Sequence, residues 1–308
     1  MKRVAVIGDV FADLVTYVRS YPPEGEGTYG TPLERFGGGC GGNIACGMGV
    51  LGLDTYMLCR LGNDDNGRFL MEDLERFGVK TDGIPLDTEY RSGHTVIAVD
   101  PEGERTIWVL ATGSAYEKIT PEDLGYLDKI QPDAIFVSGI LLGVHPAEDS
   151  IFQVVPKWKG KSTIYFDPNL RYPADSLPEG LAESMNRMSD LSDVVFAGKG
   201  EREALGLKPR KGQKFIEKYG KQGSALLDEN GNKVISVKAT SHKAVDATGA
   251  GDTYAAAFVY ADLNGMETGE AMKFASAAAG FCVTKEGARN TPDVKTVMDY
   301  LERHGDEL

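Results

Sequence analysis

The run with the clearest chemical potential is Asp246-Ala247-Thr248-Gly249-Ala250-Gly251-Asp252. Two glycines around an alanine let the backbone approach a ligand closely. The segment that follows, residues 250–263 (AGDTYAAAFVYADL), is small, apolar and helix-like. Its unpaired N–H groups and the positive end of its dipole face whatever sits at Gly249, Ala250 and Gly251, which makes an anion site. A carboxylate at the same place repels phosphate and needs a reason. One reason is that Asp252 takes the proton of an attacking hydroxyl while the amides hold charge on a transferred phosphoryl group. Taken alone, the run reads equally as a glycine-rich loop with Asp252 as a helix cap.

A second glycine-rich run, Gly37-Gly38-Gly39-Cys40-Gly41-Gly42-Asn43, leads into a small-residue stretch over 42–52 that reads as a tightly packed helix. It is not a P-loop, since no GxxxxGK[ST] occurs in the chain. Residues 27–36 before it do not read as a buried strand, so it is a poor dinucleotide fingerprint and an NAD-linked dehydrogenase is disfavoured. A close backbone with Asn43 suits a polyhydroxylated ligand; helix–sheet packing is the reading favoured without further context. A third run, Asp167-Pro168-Asn169-Leu170-Arg171, directly follows an apolar stretch, where a buried strand should open into a cleft. A guanidinium at Arg171 pairs bidentately with phosphate or carboxylate.

These residues need a scaffold. Residues 2–8 and 54–61 read as strands, and 65–77 has helical periodicity. The apolar runs AIFVSG (134–139), STIYFD (162–167) and DVVFAG (193–198) are each followed by a helix-like segment. This alternation predicts an α/β fold: a doubly wound, mostly parallel sheet with helices on both faces. Further helices are expected over 268–284 and 293–303. Residues 14–36 and 88–111 break the rhythm. His94 to Asp100 and Arg105 to Leu110, around Pro101-Glu102-Gly103, predict a β-hairpin. Such an insertion is either a lid that keeps water from a phosphoryl-transfer site or an edge extension of the sheet. The expected division is a core of residues 1–13, 37–87 and 112–308 and a β lid of 14–36 and 88–111.

Composition narrows the class. The 308 residues carry a formal net charge of −13. This argues against a general affinity for nucleic acid, although a local phosphate site remains compatible with an acidic protein. The opening MKRVAVIGD is too short for a signal-peptide core, and no stretch approaches a membrane span. Cys40, Cys46, Cys59 and Cys282 form no CxxC pair, and His94, His145, His242 and His304 have no metal-ligand spacing. A cytoplasmic protein with reduced thiols is expected.

Read together, DATGAGD, the GG…N run before the first helix, and Gly8-Asp9 with Asp13 resemble the ribokinase/PfkB family of carbohydrate and nucleoside kinases. The resemblance extends over essentially the whole chain, as far as the KEGARNTP segment. It implies the α/β core, the small β-sheet lid, ATP with Mg²⁺, and transfer of the γ-phosphate to a hydroxyl of a small sugar-like molecule. It makes Asp252 the catalytic base, with Gly249, Ala250 and Gly251 at its anion hole. Asp13 then binds sugar hydroxyls, and Gly38, Gly39 and Asn43 clasp the substrate. The DPNLR run resembles the fructokinase-like and 2-keto-3-deoxygluconate kinase branches, which puts Asn169 and Arg171 near substrate or transferred phosphate.

Two positions depart from the family pattern. The NxxE motif reads Gly198-Lys199-Gly200-Glu201, keeping Glu201 for water-mediated Mg²⁺ placement but replacing the Asn by Gly198. The nucleotide segment reads Lys218-Tyr219-Gly220-Lys221-Gln222-Gly223, with Gly220 and Gly223 fitting and Lys218 replacing a hydroxyl, from where it would reach ATP phosphates. Asp246, Thr248, Gly287 and Asn290 lie where the family binds an activating monovalent cation such as K⁺. Ribokinase-like members carry a Lys where Cys40 stands, so a hexose or a keto-deoxy sugar acid is expected ahead of ribose. A nucleoside is the alternative, with Tyr17, Phe36 and Trp108 as a stacking surface or as lid packing. A non-catalytic sugar sensor of the same fold is the competing class. Lids of this family often pair between subunits, which implies a homodimer.

Overall fold

The computed structural model describes residues 1–198 and 200–308. Lys199, within the Gly198–Glu201 run, lies outside them. The strands are β1 (Arg3–Ile7), β2 (Phe11–Tyr17), β3 (Glu34–Gly38), β4 (Asp54–Leu58), β5 (Leu61–Gly62), β6 (Leu86–Asp87), β7 (His94–Val99), β8 (Arg105–Leu110), β9 (Ala134–Ser138), β10 (Thr163–Asp167), β11 (Val194–Gly198), β12 (Lys214–Lys218), β13 (Ser224–Leu227) and β14 (Lys233–Val237). The helices are α1 (Cys40–Val50), α2 (Asp65–Arg76), α3 (Pro121–Leu124), α4 (Leu127–Ile130), α5 (Ala147–Val154), α6 (Leu181–Leu191), α7 (Glu201–Leu205), α8 (Ala250–Leu263), α9 (Thr268–Cys282) and α10 (Val294–His304).

The central sheet runs β14-β13-β12-β11-β10-β9-β1-β4. Strands β4 through β12 are parallel, and β13 and β14 add an antiparallel edge. Because successive side chains of a strand point to opposite faces, a strand buried on both sides must be apolar throughout. In β1, Val4 and Val6 enter the layer shared with α1, α2, α8, α9 and α10, while Ala5 and Ile7 enter the layer shared with α3 to α7. Phe136, Tyr165 and Phe196 face the first layer; Val137, Phe166 and Ala197 face the second. The expected doubly wound sheet with helices on both faces is therefore present.

The chain winds outward from β1 to β4 on one side and from β9 to β12 on the other, so its direction reverses between β1 and β9. Loops leaving such a pair of strands diverge and open a crevice at their carboxyl ends. Gly8-Asp9 and Ser138-Gly139 leave the sheet at that point.

A separate sheet, β3-β2-β7-β8, stands apart from the central one. Its β7–β8 pair is the expected hairpin, turned by Asp100, whose carboxylate accepts from the Glu102 and Glu104 amides at 3.0 and 2.9 Å. Register puts Asp13 beside Phe36 and Thr95, and Ile97 beside Ile107, on one face. From that face Asp13, Thr95, Ile97, Arg105, Ile107 and Val109 cover the crevice. The small sheet begins at Phe11 and includes Gly37 and Gly38, so Asp13 and these two glycines sit on its strands.

The N-terminus of α1 is held by a residue far from it in the helix frame. Asp9 accepts from the Cys40 and Gly41 amides at 2.9 and 3.1 Å and from the Ser138 hydroxyl at 3.1 Å. This requires the backbones of β1 and α1 to touch. A Cβ at Gly8 would lie 2.7 Å from the Gly41 Cα. Gly8→Ala is expected to lower stability by about 1–3 kcal/mol through overpacking, read from the urea midpoint at unchanged slope.

Candidate active site

The loop before α8 is built as its glycine pattern requires. Gly249 has φ 76°, a left-handed conformation, and a Cβ there would collide with the Ala288 carbonyl. A side chain at this position would thus meet both backbone strain and a clash. The turn delivers the first N–H groups of α8, which have no partner within the helix, to a cleft of about 1040 Å³ lined by Gly249, Gly251 and Asp252. Across it stand Asp13, Gly39, Cys40, Asn43, Asn169 and Arg171.

Asp252 is only 7% exposed. The Asn43 side-chain amide donates to its Oδ2 at 2.9 Å. Among the described residues no hydrogen bond engages its other oxygen. Burial pushes the carboxyl up to about 6, and the nearby Asp167 charge adds to that, while the Asn43 bond, Lys218 and Arg171 oppose it. A carboxylate with this value is mostly ionised at neutral pH yet basic enough to take a proton.

Asp13 accepts from the Thr95 hydroxyl at 2.6 Å, and burial raises its carboxyl above the ordinary range. Gly38 leaves room for that carboxylate, which a Cβ would strike. Asn169 has φ 48°, which turns the DPNLR run into the cleft. Arg171 donates from Nη2 to the Cys40 sulfur at 2.7 Å, and burial keeps the Cys40 thiol protonated. Of the aromatic residues read as a stacking surface, Tyr17 and Phe36 line a neighbouring cavity of about 890 Å³. Trp108 lines neither cavity.

At the other end, Gly198 and Lys218 are register partners on β11 and β12. The Lys218 ammonium forms a buried ion pair with Asp167 and lies 3.6 Å from where a Gly251 Cβ would be. Burial works against its charge, but Asp167 and Glu201 outweigh it and hold the ammonium above the ordinary lysine value. Glu201 accepts from the Gly198 and Leu170 amides at 2.5 and 2.9 Å, and burial followed by the Asp167 charge raises its carboxyl. Gly220 and Gly223 bound the turn between β12 and β13. Gly198, Lys218, Gly220 and Gly223 are not among the described residues that line the cleft.

Asp246, Thr248, Gly287 and Asn290 do come together. The Asp246 carboxylate accepts from the Thr248 amide and hydroxyl at 3.0 and 2.6 Å, from the Gly287 amide at 3.0 Å and from Arg105 Nη2 at 3.0 Å. Those donors overcome its partial burial and hold it well below the usual carboxylate range. Arg105 Nη1 also donates to the Thr248 hydroxyl at 2.9 Å, tying β8 across the cleft. The Asn290 amide is spent on the Glu286 and Gly287 carbonyls, both at 2.7 Å. The positive charge beside Asp246 is thus a guanidinium supplied by the small sheet. Among the described residues no group of His, Cys, Asp or Glu is arranged to hold a metal ion.

Sequence reasoning passed over Arg289. Its Nε donates to Asn43 Oδ1 at 3.1 Å, its Nη2 donates to the Gly38 carbonyl at 3.0 Å, and its Nη1 pairs with Asp73. The available signal was the glycine run itself, since a Cβ at Gly37 or Gly42 would strike this guanidinium.

A doubly wound sheet covered by a small sheet, with a buried carboxylate at a helix N-terminus facing a cleft that Asp13, Asn43, Asn169 and Arg171 also line, is an architecture suited to a small-molecule kinase. The model of the pfkB family carbohydrate kinases matches residues 1–295, and the chain belongs to that family. A crystal structure of an uncharacterized sugar kinase from Pyrococcus horikoshii in complex with ATP superposes with a TM-score of 0.85 at 26% identity, covering 97% of this chain and 98% of that one. The ribokinase of Bacillus subtilis is 30% identical over 98% of this chain and 99% of its own. The 5-dehydro-2-deoxygluconokinase of Listeria monocytogenes is 26% identical over 90% and 91%.

A general base at Asp252 would have to be ionised to accept a proton, which predicts that turnover falls as pH drops through about 6. A pH–rate profile at saturating ATP and acceptor checks this; no loss of rate down to about pH 5 would exclude a base of this kind.

Proposed function

We propose that this protein transfers the γ-phosphate of ATP to a hydroxyl of a sugar or sugar acid, with Asp252 as the base. The observation that carries the reading is one carboxylate oxygen held by Asn43 and the other left toward a cleft bounded by the amides of α8. The acceptor lies between Asp13, Gly39 and Asn43 on one side and Asn169 and Arg171 on the other. Its hydroxyl gives a proton to Asp252 as the oxygen attacks the γ-phosphorus, and the bond from that phosphorus to the bridging oxygen breaks so that ADP leaves. The unpartnered amides at Gly251 and Asp252, with the Lys218 charge behind them, hold the transferred phosphoryl group. Lys218, Gly198, Gly220 and Gly223 mark the nucleotide side.

Magnesium, when bound with ATP, would neutralise charge on the phosphate oxygens. Glu201 fits support of that ion through water rather than direct ligation, because each of its oxygens already accepts a backbone N–H. Of Asp246, Thr248, Gly287 and Asn290, the first two hold the Arg105 guanidinium, which already supplies a positive charge where a monovalent cation would sit. The Arg105 tie supports the small sheet, residues 14–36 and 88–111, as the lid. Its exposed Trp108 and Leu110, on the face opposite the one that covers the cleft, support pairing with a second copy. Among the described residues no helix is long and apolar enough to cross a membrane; we place the enzyme in the cytoplasm.

Arg171 supports a sugar acid as the substrate. Among the described residues its only hydrogen-bond partner is the Cys40 thiol, so most of its donors remain for a ligand. A substrate carboxylate satisfies them, in keeping with the likeness to 5-dehydro-2-deoxygluconokinase, and a neutral sugar does so less well. Tyr17, Phe36 and Trp108 lie outside the cleft lining, which favours a sugar over a nucleoside. Asp252→Asn should lower turnover by about 10²–10⁴-fold with ATP binding retained; near-native turnover would remove Asp252 as base. ADP formation should be screened with fructose, ribose, 2-keto-3-deoxygluconate, 5-dehydro-2-deoxygluconate and nucleosides. A sugar acid should give the highest kcat/KM, and Arg171→Ala should cost it about tenfold or more while a neutral sugar is spared. Equal losses on both would refute the carboxylate assignment.

A further inference from the structure

We infer that Arg289 is a positioning residue for the base: its guanidinium fixes which way the Asn43 amide points, and thereby which oxygen of Asp252 stays free for the acceptor. Arginine only donates hydrogen bonds, and an ionised carboxylate only accepts them. A side-chain amide between the two has one arrangement that satisfies both. Asn43 Oδ1 must face the Arg289 Nε, 3.1 Å away, and its NH₂ must face Asp252 Oδ2, 2.9 Å away. Without the guanidinium the amide would be free to turn and set its oxygen against the carboxylate.

The rest of the guanidinium fork is anchored on other elements. Nη1 pairs with Asp73 on α2, which Arg76 also contacts at 2.5 Å, and Nη2 holds the Gly38 carbonyl at the end of β3. The Arg289 and Asp73 side chains are 7% and 6% exposed. A Cβ at Gly42 would lie 2.7 Å from Nη2, so the glycine run that resembles a ligand loop is also the socket for this side chain. The charged groups that act on Asp252 itself are Asp167, Lys218 and Arg171. Arg289 is neutralised by Asp73 and reaches the base only through the Asn43 amide. Lysine keeps the charge for Asp73 but cannot present a fork in three directions.

The inference rests on Asp252 being the base and is tested so that the two can fail separately. The full chain is labelled with ¹³C-carboxyl aspartate and ¹⁵N-arginine, with the Asp252 signal assigned by its loss in Asp252→Asn. In Arg289→Lys the Asp252 midpoint should rise by about half a pH unit or more, because a bond to its charged form is weakened. In the same variant kcat for the best acceptor of the screen should fall about tenfold, with the KM for ATP within about twofold. A lower melting temperature with an unmoved Asp252 midpoint would reduce Arg289 to a structural tie and overturn the inference. The wild type supplies a test independent of folding. The Arg289 Nε–H signal should titrate in step with Asp252, and an Nε–H that ignores that midpoint would also overturn it. These titrations need no acceptor, so near-native turnover of Asp252→Asn would sink the base and leave the relay standing.

Discussion

The hydrogen bond from Asn43 to Asp252 joins residues 209 positions apart and brings the N-termini of α1 and α8 to one point in the crevice. Each helix start carries an aspartate, and their different surroundings give them different work. Asp9 meets the Cys40 and Gly41 amides and the Ser138 hydroxyl with its two oxygens, so it is consumed as a cap. Asp252 has one oxygen held and one left over. That second oxygen is not sealed in: it opens to the cleft, where a ligand can reach it, and this separates Asp252 from the cap that the same residue type forms elsewhere in the fold.

The charges around Asp252 are balanced by pairs rather than by solvent. Lys218 would be expensive to bury alone, and Asp167 offsets that cost. The pair leaves a positive group behind the amides of α8, where phosphate is expected. Arg171 rests against a neutral thiol, so its charge is available to whatever enters the cleft. At the rim Arg105 crosses from β8 to Asp246 and Thr248, so the covering sheet and the loop that begins the anion site are tied by one guanidinium. Exposed surface pairs contribute little, but this one joins a carboxylate that is 8% exposed to a strand that covers the cleft. The position of the small sheet and the shape of the loop before α8 are coupled through it.

Much of this was legible in the residues themselves. Apolar β-branched runs that fill both faces can only be parallel strands between helix layers, and Val4 to Ile7 shows why, with neighbours entering opposite cores. Glycine at 249 is needed because the chain takes a left-handed turn against the Ala288 carbonyl. A local rule of that sort can be read without a structure, as can the small-residue helix behind it. The β7–β8 hairpin was equally local, since its turn is closed by Asp100 within a few residues.

What required the tertiary structure was every pairing between distant segments. Arg289 looks like one more surface arginine until the fold buries it against Asn43, Asp73 and Gly38, between 216 and 251 positions away. Lys218 reads as an exposed replacement for a hydroxyl until Asp167 meets it within the sheet. The oxygens of Asp246 and Gly287 look open to an ion until their donors are seen. A sequence states which atoms can donate or accept, and it sets backbone strain over a few residues. Whether a group is spent or free depends on neighbours brought in by chain reversal at the β1–β9 switch, and on the water that burial removes. The residue types along this chain therefore determined the fold class, the anion loop and the candidate base. Only the folded arrangement decided that Asp252 keeps a free oxygen while Asp9 does not.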